Sequence, residues 1–232
     1  MLGKYASGLG EALIALFYPP ICIGCGDVLT SGERCVCLPC SMDLPSLDFR
    51  ESDLLVRERL PECPQMLRGT ALYRYRKGGK VRKLVRTMKY SGRYDLGRFF
   101  GRELGKKLQR EGCGPELIIP VPVHRKRLKE RGYNQSYWIA LGIADVLDTK
   151  VLEHGLLRTA YTDSQVRKGR MERFANLKGN IKVADREFIQ NREVLLVDDV
   201  LTTGATLTEC GKALLEAGVK SLSIGVIGVA GD

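Results

Sequence analysis

Val194-Leu195-Leu196-Val197 is an unbroken aliphatic run, closed by Asp198-Asp199 and followed by Thr202-Thr203-Gly204-Ala205-Thr206. Such a run reads as a strand covered on both faces, as in a parallel sheet, where ligands gather beyond the carboxyl ends of the strands. The acid pair therefore stands where a substrate would. Leu207, Cys210, Ala213, Leu214 and Leu215 return at helical spacing, so a helix opens at the Thr/Gly turn. Ala217-Gly218 stops it before another apolar strand at 221–229. Upstream, 71–75 alternates as a strand, 117–123 is a buried strand ending in prolines, and 151–157 is a third. Between them the period changes. Val81, Leu84, Val85 and Met88 recur at helical spacing, a second helix starts near Tyr94, and a third begins near Asn134-Gln135-Ser136 and runs to Leu147. Strands alternating with helices predict an α/β domain with a mostly parallel sheet over 69–232.

The first third of the chain is different. Leu9, Ala12, Leu13, Leu16 and Phe17 mark an amphipathic N-terminal helix within residues 1–20, ended by Pro19-Pro20. Its apolar run is too short for a signal peptide and carries Glu11, and nothing predicts a transmembrane span, so a cytoplasmic location is expected. Residues 21–45 hold Cys22-x2-Cys25-x11-Cys37-x2-Cys40, the four soft ligands of a closed structural Zn2+ site. Cys35 competes with Cys37 as a ligand, and an iron–sulfur cluster is the runner-up metal. Cys63, Cys113 and Cys210 read as packing residues. Residues 46–68, acidic and punctuated by prolines, read as a linker with one short helix.

Composition adds two facts. At 232 residues and 44% hydrophobic, the chain has material for one α/β core and a small appendage. The formal charge of +10 is concentrated: residues 68–110 contain 15 Lys/Arg against Asp95 and Glu103, a local excess of 13. Arg82, Arg86, Lys89 and Arg93 form a cationic stripe opposite the apolar face of the first helix. Arg82, Arg86 and Arg93, with Tyr73, Tyr75 and Tyr90 nearby for stacking, suit single-stranded DNA; the bland alternative is a solvated face.

Ionised Asp198 and Asp199 accept hydrogen bonds from ribose hydroxyls, while Thr202, Thr203, Gly204, Ala205 and Thr206 offer hydroxyls and backbone N–H groups at a helix start, which favours phosphate. No Walker A pattern occurs. These residues resemble the 5-phosphoribosyl-1-pyrophosphate (PRPP) loop of type I phosphoribosyltransferases. The resemblance implies that Asp198 and Asp199 hold the ribose and 202–206 the 5-phosphate. It assigns pyrophosphate to Val123, His124 and Arg125, with Lys89, and a flexible loop over the substrate to 158–178, with Arg158, Gln165, Arg170 and Arg173. Mg2+ accompanies PRPP.

Further motifs narrow the likeness. Phe17-Tyr18-Pro19-Pro20 before Cys22-x2-Cys25, Tyr73-x-Tyr75, Leu84-x4-Lys89-Tyr90, Pro120-Val121-Pro122 with Arg131-Gly132-Tyr133-Asn134-Gln135-Ser136, and the acid pair with its Thr/Gly turn resemble the competence protein F (ComF) family. That resemblance implies a phosphoribosyltransferase-like body with an N-terminal zinc module, acting with DNA-uptake proteins in natural transformation. Two departures stand out: Cys63 is alone where many members carry a second cysteine ribbon, and Thr202 replaces the acid of purine-salvage enzymes. Transfer of phosphoribosyl to an acceptor and a non-catalytic PRPP sensor that binds single-stranded DNA both remain open, and no catalytic residue is assigned.

Overall fold

The computed structural model describes residues 18–158 and 180–231. The expected N-terminal helix lies outside the described residues up to position 17. The chain divides into two compact units, Met1–Leu44 and Pro45–Asp232.

The first unit is made of tight turns. Ile21 bridges Val28 and Arg34 bridges Val36, both antiparallel, and helix α1 (Leu38–Met42) follows. Gly26 and Gly32 hold φ of +90° and +93°, a region open to glycine at no steric cost.

In the second unit a five-stranded parallel sheet has the order β1 (Arg68–Tyr75), β7 (Ser221–Ala230), β6 (Glu193–Leu201), β2 (Leu117–Pro120), β3 (Lys150–Val151). The aliphatic run of β6 is central, with Val194 opposite Leu117 and Leu222. Helix α2 (Phe49–Arg59) and α8 (Ala205–Glu216) share one core with the sheet through Val56, Leu207, Cys210 and Leu214. Helices α3 (Lys80–Tyr90), α4 (Tyr94–Arg110) and α6 (Gln135–Leu147) bury Val81, Leu84, Phe100, Leu104, Ile139 and Ile143. Between them comes the short α5 (Arg125–Arg131). Strands β4 (Leu156–Arg158) and β5 (Ile181–Val183) form a separate antiparallel pair, followed by α7 (Arg186–Ile189).

Three expectations need correction. Residues 46–68 contain the expected helix but are not a linker. Asp48 caps α2 by accepting from Glu51 N at 2.8 Å, and the helix is stitched to β1: Ser52 Oγ accepts from Ala71 N at 2.6 Å and Asp53 Oδ1 from Gly69 N at 2.7 Å. Val56, Leu60 and Met66 are core residues. The strand expected over 117–123 stops at Pro120: Val121 N still reaches Val197 O at 2.8 Å, but Pro122 has no N–H to continue the ladder. Finally, 151–157 is not one strand. A turn at Leu152–Gly155, closed by Gly155 N to Leu152 O at 3.2 Å, divides β3 from β4.

Gly97, Gly101 and Gly105 recur every fourth residue on α4 and bring its backbone onto α6. A Cβ on Gly101 would lie 2.2 Å from the Ile139 carbonyl oxygen and 2.8 Å from Gly142 Cα. Gly101→Val therefore overpacks a backbone contact, and a loss of about 1–3 kcal/mol or more is expected, read as a lower thermal midpoint. An unchanged midpoint would show that the helices separate freely.

Candidate functional site

The site begins at the carboxyl edge of the sheet. Strand β6 does not end at the acids; β7 accompanies it, with Asp198 opposite Val226 and Leu201 opposite Val229, so the pair lies inside the strand. Neighbouring strand residues face opposite sides. Asp199, 7% exposed, meets Lys89 at the end of α3, Nζ to Oδ2 2.8 Å. Asp198 Oδ1 accepts from Ser136 Oγ and from Asp199 N, both at 2.8 Å. Burial, then the charge of Asp199, pushes Asp198 up to about 6 against the pull of Lys89. For Lys89 burial favours the neutral amine, but Asp199 outweighs it and holds the ammonium above its ordinary value.

The turn after β6 is shaped from outside. Gly204 has φ +80° and caps α8, and a Cβ there would sit 2.3 Å from the carbonyl oxygen of Arg59. Arg59 Nη1 also donates to Thr202 O at 3.3 Å. The end of α2, expected as linker, is thus the buttress of the Thr202–Thr206 turn. Thr203 and Thr206 are half-buried, Ala205 is buried and Thr202 is exposed.

Beyond β2, His124 caps α5, its Nδ1 accepting from Lys126 N at 3.1 Å. Val123, His124, Arg125, Asn134, His154 and Arg158 are among the residues that line a cleft of about 520 Å³. Both histidines of the chain are here, although His154 reads from sequence as merely structural. Burial and then Arg158, Arg127 and Arg125 keep the His124 pKa below its ordinary value. Arg158 ends β4; Gln165, Arg170 and Arg173 lie outside the described residues.

Lys89 is brought to the acid pair rather than left on the outer stripe. Arg82 and Arg86 line a shallow cleft of about 450 Å³ with Lys83 and Tyr90. Arg93 departs from the stripe, because α3 ends at Tyr90 and the Arg93 guanidinium is held by Asp95 at 2.7 Å. Tyr73 is buried against Phe100, ring centroids 6.0 Å apart, which corrects its expected stacking role; Tyr90 is 69% exposed.

Sequence reasoning gave Arg131, Tyr133 and Ser136 no role. The signal was the compact Arg131–Ser136 motif itself. Asn134, which caps α6 through Ser136 N, also donates from Nδ2 to Val121 O at 3.1 Å and fixes the turn that presents Ser136 to Asp198.

In the first unit, the thiols of Cys22, Cys25, Cys37 and Cys40 lie within 4.8 Å of one another. The Cys25–Cys37 separation of 3.7 Å matches the edge of a tetrahedron with metal–sulfur bonds of about 2.3 Å. Burial opposes ionisation of Cys22, but backbone N–H groups, including those of Cys37 and Gly24, bring it down to about 6. Cys35 stands outside the cluster, at φ +59°. These donors fit a four-coordinate metal closed to substrate.

The parallel sheet, acid pair and Thr/Gly turn define a phosphoribosyltransferase-like domain, and residues 143–230 match the family model described as phosphoribosyl transferase domain. The chain is similar to Competence protein F of Haemophilus influenzae, 38% identical over 112 residues that cover 47% of this chain and 48% of that one. It is also similar to Competence protein ComFC of Bacillus subtilis (32% over 102 residues, 44% and 39%) and to DNA utilization protein YhgH of Escherichia coli K12 (28% over 146 residues, 61% and 63%). The matches thus span about two-fifths to under two-thirds of these relatives' lengths. The solved purine phosphoribosyltransferase of Pyrococcus horikoshii is 20% identical, with a TM-score of 0.36 over 58% of this chain and 71% of that one. No helix among the described residues is long and apolar enough to cross a membrane.

Proposed function

We propose that this chain is a ComF-type protein of DNA uptake whose α/β domain binds PRPP in the cytoplasm. The observation that carries the reading is the acid pair of β6 beside a glycine-shaped turn that opens α8, with Lys89 and Arg125 supplying cations. Asp198 and Asp199 receive the ribose hydroxyls, 202–206 the 5-phosphate, and Val123, His124, Arg125 and Lys89 the pyrophosphate. Asp199 is already paired with Lys89. A donor set so occupied suits a Mg2+ that arrives on the phosphate oxygens of the substrate, where it neutralises pyrophosphate charge. Where an acceptor is supplied, its nucleophile attacks C1 of the ribose and pyrophosphate leaves. Calorimetric titration with PRPP, with and without Mg2+, tests binding; pyrophosphate release over a panel of acceptors tests turnover. Affinity is expected to fall as pH drops through about 6, because Asp198 then gains a proton and loses acceptor capacity. Pyrophosphate release with no acceptor dependence, or no PRPP binding with Mg2+, overturns the reading.

The four-cysteine cluster is proposed to hold Zn2+. A second reading, a PRPP sensor that binds single-stranded DNA, has the Arg82–Arg86 cleft with exposed Tyr90 behind it. Arg82→Glu with Arg86→Glu is expected to abolish oligo-dT binding and flatten its salt dependence, while PRPP affinity stays within a few fold. Fluorescence anisotropy over a salt series reads both quantities.

A further inference from the structure

Three consecutive residues at the end of α3 are each gripped from a different direction. The Met88 carbonyl accepts from the Tyr133 hydroxyl. Lys89 pairs with Asp199. The Tyr90 ring lies under the Arg131 guanidinium, 5.3 Å from its centroid, and Arg131 also donates to Gln135 Oε1 at 3.0 Å. The last carbonyls of a helix have no partner within it, so the Tyr133 bond fixes a turn that would otherwise fray. Lysine is a flexible point charge on a four-carbon stem, and its aim depends on where its backbone is held. Lys89 lies on that fixed turn, and its partner Asp199 is 110 positions further along the chain.

We infer that Tyr133 and Arg131 are positioning residues that act through Lys89: they clamp the end of α3 so that the ammonium stays on Asp199 and the two carboxylates keep the orientation a ligand meets. For its consequence on affinity this rests on the PRPP reading; for the acid pair itself it does not. Ser136 belongs to the same short segment and holds Asp198, so residues 131–136 set both acids, one directly and one through α3. The ring of Tyr133 also packs edge-on against Tyr94, centroids 6.3 Å apart, a contact that Phe preserves.

Tyr133→Phe therefore isolates the hydroxyl. Two measurements are made on the full chain. In the first, 13C NMR of the aspartate carboxyl groups without ligand follows Asp198 titration in wild type, Tyr133→Phe, Lys89→Met and the double variant. The Phe variant is expected to move the midpoint upward, and to add nothing once Lys89 is Met. In the second, PRPP affinity with Mg2+ is expected to fall about threefold to tenfold in Tyr133→Phe and by no further factor in the Lys89→Met background. Non-additivity of this kind is what a shared route produces. An Asp198 midpoint unchanged by Tyr133→Phe, or effects that multiply independently with Lys89→Met, overturns the clamp. If wild type fails to bind PRPP, the functional reading falls and the carboxyl titration alone decides the clamp.

Discussion

Cys40→Ser, or exposure to a strong chelator, is expected to strip the metal from residues 22–40 and unfold that unit while the sheet domain persists. The unit's buried side chains are mostly its cysteines, with Leu29, Val36 and Leu44 the aliphatic ones among the described residues. So few apolar groups cannot offset the entropy of ordering the turns. The proposed Zn2+ would supply the difference: apparent binding to four-ligand peptides is worth roughly 10–16 kcal/mol at neutral pH. Gly24 shows how tightly the cage is drawn: a Cβ there would lie 2.8 Å from Cys40 Sγ. Elemental analysis should find about one zinc per chain before treatment and none after. Limited proteolysis should then cut between residues 18 and 45, where the untreated protein resists. Stoichiometric iron with visible absorbance would replace zinc by a cluster.

Asp198→Ala with Asp199→Ala is expected to weaken PRPP binding by roughly 2–5 kcal/mol, more than thirtyfold, because the ribose hydroxyls lose their acceptors. The double variant also leaves Lys89 without the partner that outweighs its burial, so Asp198→Asn is the cleaner companion. Its effect on stability has the opposite sign. Asp198 has a folded pKa of about 6, above the unfolded value near 3.9, so its stabilising contribution is full below that value and lost as pH rises through about 6. At neutral pH the ionised group costs on the order of 3 kcal/mol. Asp198→Asn should therefore melt higher than wild type at pH 7.5, with the gap closing at pH 4, while binding PRPP less well. Equal melting at both pH values would remove the assigned burial cost.

The central part of this fold was legible because its signals are local. The aliphatic run of β6, the acid pair and the Thr/Gly turn lie within 13 consecutive residues, and 3.6-residue periodicity marked α3, α4 and α6. One short helix was expected within 46–68, but the 11-residue length of α2 and its packing escaped because prolines and acids masked them, although Asp48-x-x-Glu51 is a capping signature in plain view. The Gly97-Gly101-Gly105 row was equally visible, but its meaning depends on a partner helix. Arg93 was assigned by extending the helical period past Tyr90, where Gly92 takes φ +64° and ends it. The site itself was half readable. Residue types at the strand end foretell anion and hydroxyl binding, whereas the Lys89–Asp199 pair and the Arg59 buttress on Gly204 are long-range pairings, and the cleft that His124 and His154 share is a long-range juxtaposition, that no local period encodes.

The sheet order carries a consequence for synthesis. Strand β1 is the first of the domain to leave the ribosome, yet within the sheet it pairs with β7, the last. Until residues 221–230 emerge, β1 lacks the strand it pairs with in the finished sheet. Closing a loop of this length is slow, and an unpaired apolar edge invites other chains meanwhile. Helix α2, emerging just before β1, bonds to Gly69 and Ala71 N–H through Asp53 and Ser52 and covers one face of the nascent strand. The same helix is placed to cover β1 before its strand partner exists, besides bracing the finished loop.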